Sequence, residues 1–430
     1  MKKNLAEINV PPAATPRKVK KPIGLALQGG GSWGAYTWGV LDVLLASRTI
    51  SIAQFSGTSA GAINAAIVAS ALAKGSATQA RKSLRAFWLR VADPALADLA
   101  RKIWGPAERS LRQSFGAWLL SSGAMTPYNS NPLGINPLRD AIEAHVDIDA
   151  IRSKSSPALF VTVTNVKTGL PRVIANDAMS IDALLASACV PELFQAVELD
   201  GEQYWDGGYC GNPTLWPMIH SGLADDLIVV QLAPEFAEVP TDGLGIRRRV
   251  GEIIFNSSLV AEMQAITAMR ALAERNADTS HLLAVRMHRI GPPRDELHAQ
   301  GSPSERSRAW LKLLQGEGRI AGRRFLSAHG ADVGVRETLD VAKAYSDGHK
   351  PKMRVPMKEE LQDVDKVLLP ANAESRLLRT AESGDRFHKA GGVPAPASSI
   401  RGRATAGTRR ARQKVLDSRS ATKMSGNDPY

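Results

Sequence analysis

Residues 23–73 contain the same order of local patterns twice, and this repetition limits the possible fold more than any other feature of the chain. A short apolar run, Ile23–Gln28, is followed by three glycines and then by apolar residues at helical spacing from Ala35 to Leu45. A second apolar run, Ile50–Ser56, ends at a glycine and precedes a helical segment of small residues, Ala60–Ala73. Strands and helices that alternate through short turns are typical of a parallel sheet with helices on its faces. The pattern therefore predicts an α/β fold with a mainly parallel central sheet.

Composition and pattern divide the chain into three parts. With 430 residues, of which 44% are apolar and 22% charged, the chain has enough apolar content for a large buried core. Residues 22–335 carry the helix and strand patterns, and we expect them to form one domain. Residues 1–21 predict a flexible basic leader. The segment 336–430 is poor in aromatic residues and rich in Pro, Gly, Ala, Ser and Arg, which predicts a mostly disordered basic tail.

The formal net charge of +12 is concentrated at the two ends of the chain. Between Arg401 and Lys423, Asp417 is the only acidic residue among many basic ones. Basic segments attract polyanions, including anionic membrane surfaces, although a solvated tail without a specific partner fits the composition equally well. No zinc-finger, RRM or helix-turn-helix pattern accompanies the charge, so nucleic acid is an unlikely partner. Oligomeric state is not predicted by any pattern.

The sequence also limits location and cofactors. The basic start Met1-Lys2-Lys3 is not followed by an apolar signal core, and no apolar run approaches the roughly eighteen residues that a membrane span requires. We expect a cytoplasmic protein, at most peripheral at membranes. Cys189 and Cys210 lack metal-ligand spacing and predict reduced thiols. No calcium-binding loop is apparent, and we expect neither a metal nor a cofactor.

The run Gly57-Thr58-Ser59-Ala60-Gly61 lies between a predicted strand and a predicted helix. This G-x-S-x-G pattern is typical of a nucleophile elbow, a sharp turn that exposes a serine hydroxyl at the start of a helix. Both glycines are needed because the turn passes close to the adjacent strand and helix. A flexible glycine turn that happens to contain serine is the alternative, and the strand–turn–helix context favours Ser59 as a nucleophile.

The glycine-rich loop at residues 29–34 allows two interpretations. Gly29, Gly31 and Gly34 match the G-x-G-x-x-G pattern of dinucleotide sites, but such sites need an acidic residue near the end of the second strand. The chain has Gln54, Phe55 and Ser56 there, and no lysine that would complete a phosphate-binding P-loop. Backbone amides at a helix start also suit a developing oxyanion. The candidate oxyanion residues are Gly29, Gly30, Gly31, Ser32 and Gly34.

A serine nucleophile needs a base, and the sequence offers two kinds of candidate. His220, His281 and His288 could complete a Ser-Asp-His triad, but each lies in an ordinary helix or strand pattern. Asp206 instead begins Asp206-Gly207-Gly208 directly after an aromatic strand, a position that would expose its carboxylate at a turn. The same three residues would also make a merely structural turn.

The three motifs together resemble those of the patatin-like phospholipases. That family has a triple-glycine loop, a G-x-S-x-G run about thirty residues later and a D-G-G or D-G-A triplet far downstream, and the stretch from Ala186 to Pro191 is also similar. The resemblance covers roughly residues 22–330. It implies a three-layer α/β/α fold and hydrolysis of lipid acyl esters through an acyl-serine intermediate. Ser59 and Asp206 would then form a catalytic dyad without histidine, the loop amides would bind the oxyanion, and Gly207 and Gly208 would support the Asp206 turn.

The resemblance leaves the substrate open. A phospholipase A-type lipid acyl hydrolase is the first expectation, an esterase or depolymerase for other acyl esters is the second, and a non-catalytic lipid-binding module on the same fold is the third. Trp33 departs from the family, which often has arginine or lysine there, and is expected to change activity or substrate choice. The aromatic-rich stretch from Phe87 to Leu120 is a candidate acyl pocket or cap, or ordinary core helices.

Overall fold

The computed structural model describes residues 20–93, 126–234, 237–274, 284–292, 297 and 301–345. Nearly all of the predicted leader, most of the predicted tail, His281 and the aromatic stretch beyond residue 93 lie outside the described residues. Two compact units divide the chain at residue 350, and the second lies wholly outside the described part.

The described chain is built on one mixed, mostly parallel sheet, and the predicted α/β class is confirmed. The strands follow the order β5-β6-β3-β2-β1-β7-β8, with β4 paired to β3. Strands β3, β2, β1, β7 and β8 are mutually parallel, whereas β4 and β6 run antiparallel to β3. The strand bounds are β1 Lys21–Leu27, β2 Ile50–Gly57, β3 Ala158–Asn165, β4 Pro171–Ile174, β5 Val197–Leu199, β6 Glu202–Asp206, β7 Asp226–Val230 and β8 Arg286–Ile290.

Helices cover both faces of this sheet. Their bounds are α1 Gly34–Leu44, α2 Ala60–Ala73, α3 Ala77–Val91, α4 Pro127–Ser130, α5 Leu138–Glu143, α6 Ile148–Arg152, α7 Ile181–Ser187, α8 Trp216–Ser221, α9 Gly243–Ala273, α10 Arg308–His329 and α11 Val341–Ala344. Short 3-10 helices occupy Gly31–Trp33, Asn176–Ala178 and Gly207–Tyr209.

The layers follow from the alternation of side chains along the strands. Leu25 and Leu27 of β1 join the core that contains α1, α2, α3 and α10, whereas Ala26 between them joins a second core with α8 and α9. Helices α1 and α10 pack closely because Gly39 and Gly318 face the opposing backbone. A Cβ atom at Gly318 would lie 2.0 Å from the carbonyl oxygen of Tyr36. The small residues therefore set how closely the two helices approach.

The ends of α9 and β8 differ from the sequence prediction. The apolar spacing of the sequence predicts a helix over Gly251–Ala273, but α9 begins about two turns earlier, at Gly243. Asp242 precedes the helix and accepts a hydrogen bond from the Gly245 amide at 2.9 Å, which caps a turn whose glycines give a weak helical signal. The run Leu282–Met287 predicts a strand in the sequence, and the observed strand β8 covers Arg286–Ile290. Among the described residues, no helix is both long and apolar enough to cross a membrane.

A buried ionic cluster joins the C-terminal described segment to the strand starts of β7 and β8. Asp226 is 2% exposed and accepts hydrogen bonds from both the guanidinium of Arg286 and Nε2 of His288. The Gly334 amide donates to Asp226 Oδ1 at 2.8 Å, and His288 Nδ1 lies 2.9 Å from the Thr338 hydroxyl. Although burial opposes ionisation, these partners together hold the pKa of Asp226 well below its usual range. The segment after Thr338 contains Tyr345, whose side chain is buried in the second core.

We expect Asp226→Asn to lower the free energy of unfolding by about 3 kcal/mol, because the amide leaves the Arg286 guanidinium without its buried counter-charge. Urea denaturation measures this change. Asp225→Asn is the matched control, because Asp225 is half exposed and lies 3.6 Å from the same guanidinium. This control should cost less than about 1 kcal/mol, and equal losses in the two variants would contradict the role of the buried cluster.

Candidate active site

Three turns meet at one edge of the sheet, where β1 and β2 end. The glycine loop follows β1, and the turn that contains Ser59 follows β2, its parallel neighbour. In β3, Val161 pairs with Gly57 of β2, and Val163, two positions further on, pairs with Asp206 at the end of β6. The register therefore brings Asp206 to the level of Ser59 although 147 positions separate them in the sequence.

Ser59 occupies a backbone conformation that residues other than glycine rarely adopt. Its φ of 54° and ψ of −125° lie in a strained region, and it directly precedes the first residue of α2. The Ser59 amide donates to the Ser187 hydroxyl at 2.9 Å, and that hydroxyl donates to the Thr162 carbonyl at 2.8 Å. The Ser59 residue is 7% exposed. Secondary structure on both sides therefore holds the sharp turn that the elbow pattern predicts.

The glycines of the elbow are required by close backbone contacts. A Cβ atom at Gly61 would lie 2.1 Å from the carbonyl oxygen of Leu27, and one at Gly57 would lie 2.8 Å from the Ala62 nitrogen. Neither neighbour can move aside, because both are backbone atoms of regular elements. The spacing in G-x-S-x-G thus reflects the packing of β2 and α2 against β1.

Asp206 is fully buried and faces the nucleophile. Its Oδ1 accepts a hydrogen bond from the Gly208 amide at 2.7 Å, while Oδ2 has no partner in a formed hydrogen bond among the described residues. Burial raises the pKa of the Asp206 carboxyl to about 7, against the opposing effects of the Gly208 amide and the Ser59 hydroxyl. The charge of Glu192 raises this pKa further. A carboxyl with such a pKa exchanges protons near neutrality, as a general base requires.

Gly207 and Gly208 fit a crowded turn. A Cβ atom at Gly207 would lie 2.1 Å from the Thr162 carbonyl oxygen, and one at Gly208 would lie 2.2 Å from the Phe255 ring on α9. The Asp206 amide also donates to the Cys189 carbonyl at 2.8 Å. These contacts hold the carboxyl in place.

The amides of the glycine loop divide into two groups. Gly30 and Gly31 donate no backbone hydrogen bond within the described part of the chain. The Gly29 amide, in contrast, donates to Asn212 Oδ1 at 2.6 Å, the Ser32 amide donates to the Pro303 carbonyl at 2.9 Å, and the Gly34 amide donates within the short 3-10 helix. The sequence placed Gly29, Ser32 and Gly34 among the oxyanion donors. In the structure, the N–H groups of these three residues already have acceptors and shape the loop.

Gln28 and Asn212 anchor this loop, and the sequence motifs do not include either residue. Gln28 Oε1 accepts from the Leu232 and Ala233 amides at 2.7 and 2.8 Å. Asn212 accepts from the Gly29 amide and donates from Nδ2 to the Phe255 carbonyl at 2.9 Å. A polar residue at the end of an otherwise apolar strand was the available signal for Gln28. For Asn212, the signal was an Asn-Pro pair shortly after the Asp206 turn.

Trp33 packs inward from the glycine loop. The side chain is buried, and its ring meets that of Trp310 on α10 edge to face, with centroids 5.3 Å apart. Patatin-like phospholipases often have arginine or lysine at this position, which would supply a charge. In this chain Trp33 instead makes an apolar contact that fixes the glycine loop to the core.

Neither histidine candidate among the described residues contacts Ser59. His220 bonds to the carbonyl of Trp216 on its own helix, and His288 is buried at the opposite ends of the strands in the Asp226 cluster. His281 lies outside the described residues. The geometry thus favours Asp206 as the partner of Ser59.

Comparison with known proteins agrees with this arrangement. The sequence profile of the family described as patatin-like phospholipase matches residues 25–219, a range that includes the glycine loop, Ser59 and Asp206. The resemblance drawn from the three motifs is thereby confirmed. Among solved structures, the chain is similar to VipD from Legionella pneumophila, with 15% sequence identity and a TM-score of 0.36 over 74% of this chain and 72% of that one. No curated protein matches the sequence.

The raised pKa of Asp206 has a consequence for stability. Between the unfolded pKa of about 3.9 and the folded pKa of about 7, the unfolded chain releases the proton while the native state retains it, so stability falls as pH rises through this window. We expect Asp206 to lower wild-type stability by about 2 to 3 kcal/mol between about pH 5 and about pH 8. Asp206→Asn cannot ionise and should lack this decrease. Urea denaturation of both proteins at the two pH values measures the difference, and parallel pH profiles would contradict it.

Proposed function

We propose that the protein is a serine lipid acyl hydrolase of the phospholipase A type, because residues 25–219 match the family model of the patatin-like phospholipases. Membership of the family supports hydrolysis of lipid acyl esters in general. The observation that carries the proposal for this chain is the pairing of Ser59, on a strained elbow, with the buried Asp206 carboxyl. Degradation of membrane or storage lipid is the corresponding biological activity.

In the proposed reaction, Asp206 takes the proton of the Ser59 hydroxyl while Oγ attacks the ester carbonyl. The tetrahedral intermediate collapses, the alcohol leaves with a proton, and the acyl group remains on Ser59. Water then attacks the acyl-serine with Asp206 again accepting a proton, which releases the fatty acid and restores the hydroxyl. The unpartnered Oδ2 of Asp206 supports this role, because it is an acceptor that no other group of the described chain uses.

The Gly30 and Gly31 amides are the proposed donors to the oxyanion. Both N–H groups are free within the described residues, and the positive end of α2 begins at Ser59. Donors that are fixed before the reaction stabilise developing charge at no further cost of reorganisation. The Asn212 and Pro303 contacts supply that fixation on either side of the two glycines.

We propose that the protein acts in the cytoplasm, without a cofactor, and contacts anionic membranes peripherally. The division into a leader (1–21), a hydrolase domain (22–335) and a basic tail (336–430) also stays a proposal. Residues past 335 include α11, whose Val341 packs in the second core.

The decisive experiment is a screen of lipid classes for fatty-acid release by wild type, Ser59→Ala and Asp206→Asn. We expect release from phospholipid by wild type only, with both variants reduced by at least about a thousandfold. Because Asp206 must be ionised to act as a base, the wild-type rate should rise with pH through about 7.

Other outcomes of the screen discriminate the alternatives. Turnover of short esters without release from phospholipid would favour the esterase. Binding of lipid with no Ser59-dependent release from any ester would contradict an enzyme. Activity that survives Asp206→Asn would exclude the dyad.

A second test examines the glycine loop. Gly31 has a φ of 59°, and a Cβ atom there would lie 2.5 Å from the Pro303 carbonyl oxygen, so Gly31→Ala must displace the loop. Gly75→Ala is the matched control, since Gly75 has a φ of 78° with nothing within 4 Å. Both variants should lose about 1 kcal/mol of stability from backbone strain. Only Gly31→Ala should lose activity, by about a hundredfold or more in kcat; equal kcat in the two variants would contradict the proposed oxyanion loop.

A further inference from the structure

The outward face of α9 is unusually apolar for a surface helix. Large side chains recur along it at helical spacing and remain well exposed. They are Ile246 (47% exposed), Val250 (50%), Ile253 (54%), Ile254 (41%), Met269 (45%) and Leu272 (64%). Ser257, Ala261, Ala265 and Ala268 fill the intervening positions of the same face. From Ile246 to Leu272 this outer stripe extends about 40 Å, which is far more than the scattered apolar residues of an ordinary surface.

The carboxylates of α9 are turned away from the stripe. Between Ile246 and Leu272 the helix has two acidic residues, Glu252 and Glu262. Glu252 pairs with Arg249 at 3.1 Å on the flank, and Glu262 accepts the Leu215 amide at 2.7 Å beneath the helix. The outer stripe is thus free of negative charge.

Arg247 is the basic residue on that outer side. It is exposed and has no ion-pair partner among the described residues. On the outer side, Val250 follows Arg247 by three residues and Ile254 follows it by seven, which is close to two turns along the helix. The result is an apolar stripe with a free cation at its N-terminal end, on a chain whose net charge is +12.

The stripe runs directly past the catalytic turn. Phe255 follows Ile254 and packs on Gly208, and its ring lies 5.1 Å from that of Tyr209. The Phe255 carbonyl also accepts from Asn212, the residue that anchors the glycine loop. Contact with a surface through Ile253 and Ile254 would therefore hold the Asp206 turn about one helix diameter, roughly 10 Å, from that surface.

We propose that the outer stripe of α9, residues 246–272, docks the protein on an anionic lipid surface, with Arg247 facing lipid phosphate groups. This inference rests on the proposed function, because a lipid acyl hydrolase meets its substrate in such a surface. A helix with one apolar face lies in the plane of the interface, and its affinity combines apolar burial with attraction to anionic headgroups. A second copy of the chain fits less well. A two-fold pairing of stripes offers Arg247 no carboxylate and would bury its charge unpaired.

Cosedimentation with phosphatidylcholine vesicles, with or without phosphatidylglycerol, tests the proposal in a Ser59→Ala background, where no substrate is consumed. Val250→Ser with Ile253→Ser should weaken partition to the anionic vesicles about tenfold or more. Leu313→Ser with Ile320→Ser is the matched control, since these residues are 43% and 45% exposed on α10, across the sheet. This control variant should bind the vesicles as strongly as the Ser59→Ala protein does. Arg247→Gln should lose the preference for phosphatidylglycerol and its salt dependence.

Three results would overturn the proposal. The first is that Ser59→Ala protein does not bind vesicles, and the second is that the Val250→Ser/Ile253→Ser and Leu313→Ser/Ile320→Ser variants bind equally well. The third is a dimer that Val250→Ser/Ile253→Ser dissociates while vesicle binding persists. The last result would identify a second copy as the occupant. Turnover of a short soluble ester by the same pairs with Ser59 intact separates this question from the proposed function. The Val250→Ser/Ile253→Ser variant should retain turnover of the soluble ester. Absence of this turnover from the wild-type protein would contradict the proposed hydrolase activity but would leave the vesicle-binding result unchanged.

Discussion

The site depends on how closely the backbone after β1 approaches the backbone after β2. A Cβ atom at Gly29 would lie 2.8 Å from Ser59 Cβ, and one at Gly61 would lie 2.1 Å from the Leu27 carbonyl oxygen. This distance leaves no room for side chains between the two turns. The glycine loop and Ser59 can therefore be neighbours only because the contact is made by glycine. Hydrogen bonds from Ser59 to Ser187 and from Gly29 to Asn212 then fix both turns.

Burial supplies the second property of the site. Asp206 is enclosed between β3, α9 and the elbow, and loss of solvent raises the pKa of its carboxyl to about 7. The same burial destabilises the native protein once the Asp206 carboxyl ionises. Activity and stability are thus expected to respond to pH in opposite directions. Gln28 accepts from the Leu232 amide after β7, and Asn212 accepts from the Gly29 amide, so both residues satisfy backbone groups next to the glycine loop.

Much of the architecture could be predicted from the sequence because it depends on local pattern. The helix at Ala60–Ala73 and the turn at Gly57 and Gly61 follow from periodicity and from glycine at the positions of close contact. The start of α9 at Gly243 could not be predicted, since a capping contact by Asp242 outweighs the weak helical preference of its glycines.

By itself, the sequence determined which residue types stand at the three turns and, through their order, the family whose profile residues 25–219 match. Tertiary structure alone decided which loop amides remain free, because Gly29 and Ser32 donate to Asn212 and Pro303, which are remote in the chain. It also decided between Asp206 and His288 as neighbours of Ser59, because His288 lies on β8 at the far edge of the sheet and its ring bonds to Asp226 at the start of β7. The spacing of glycines along the chain indicates where a turn is too crowded for a side chain. Only the folded backbone determines which groups from different turns come into contact.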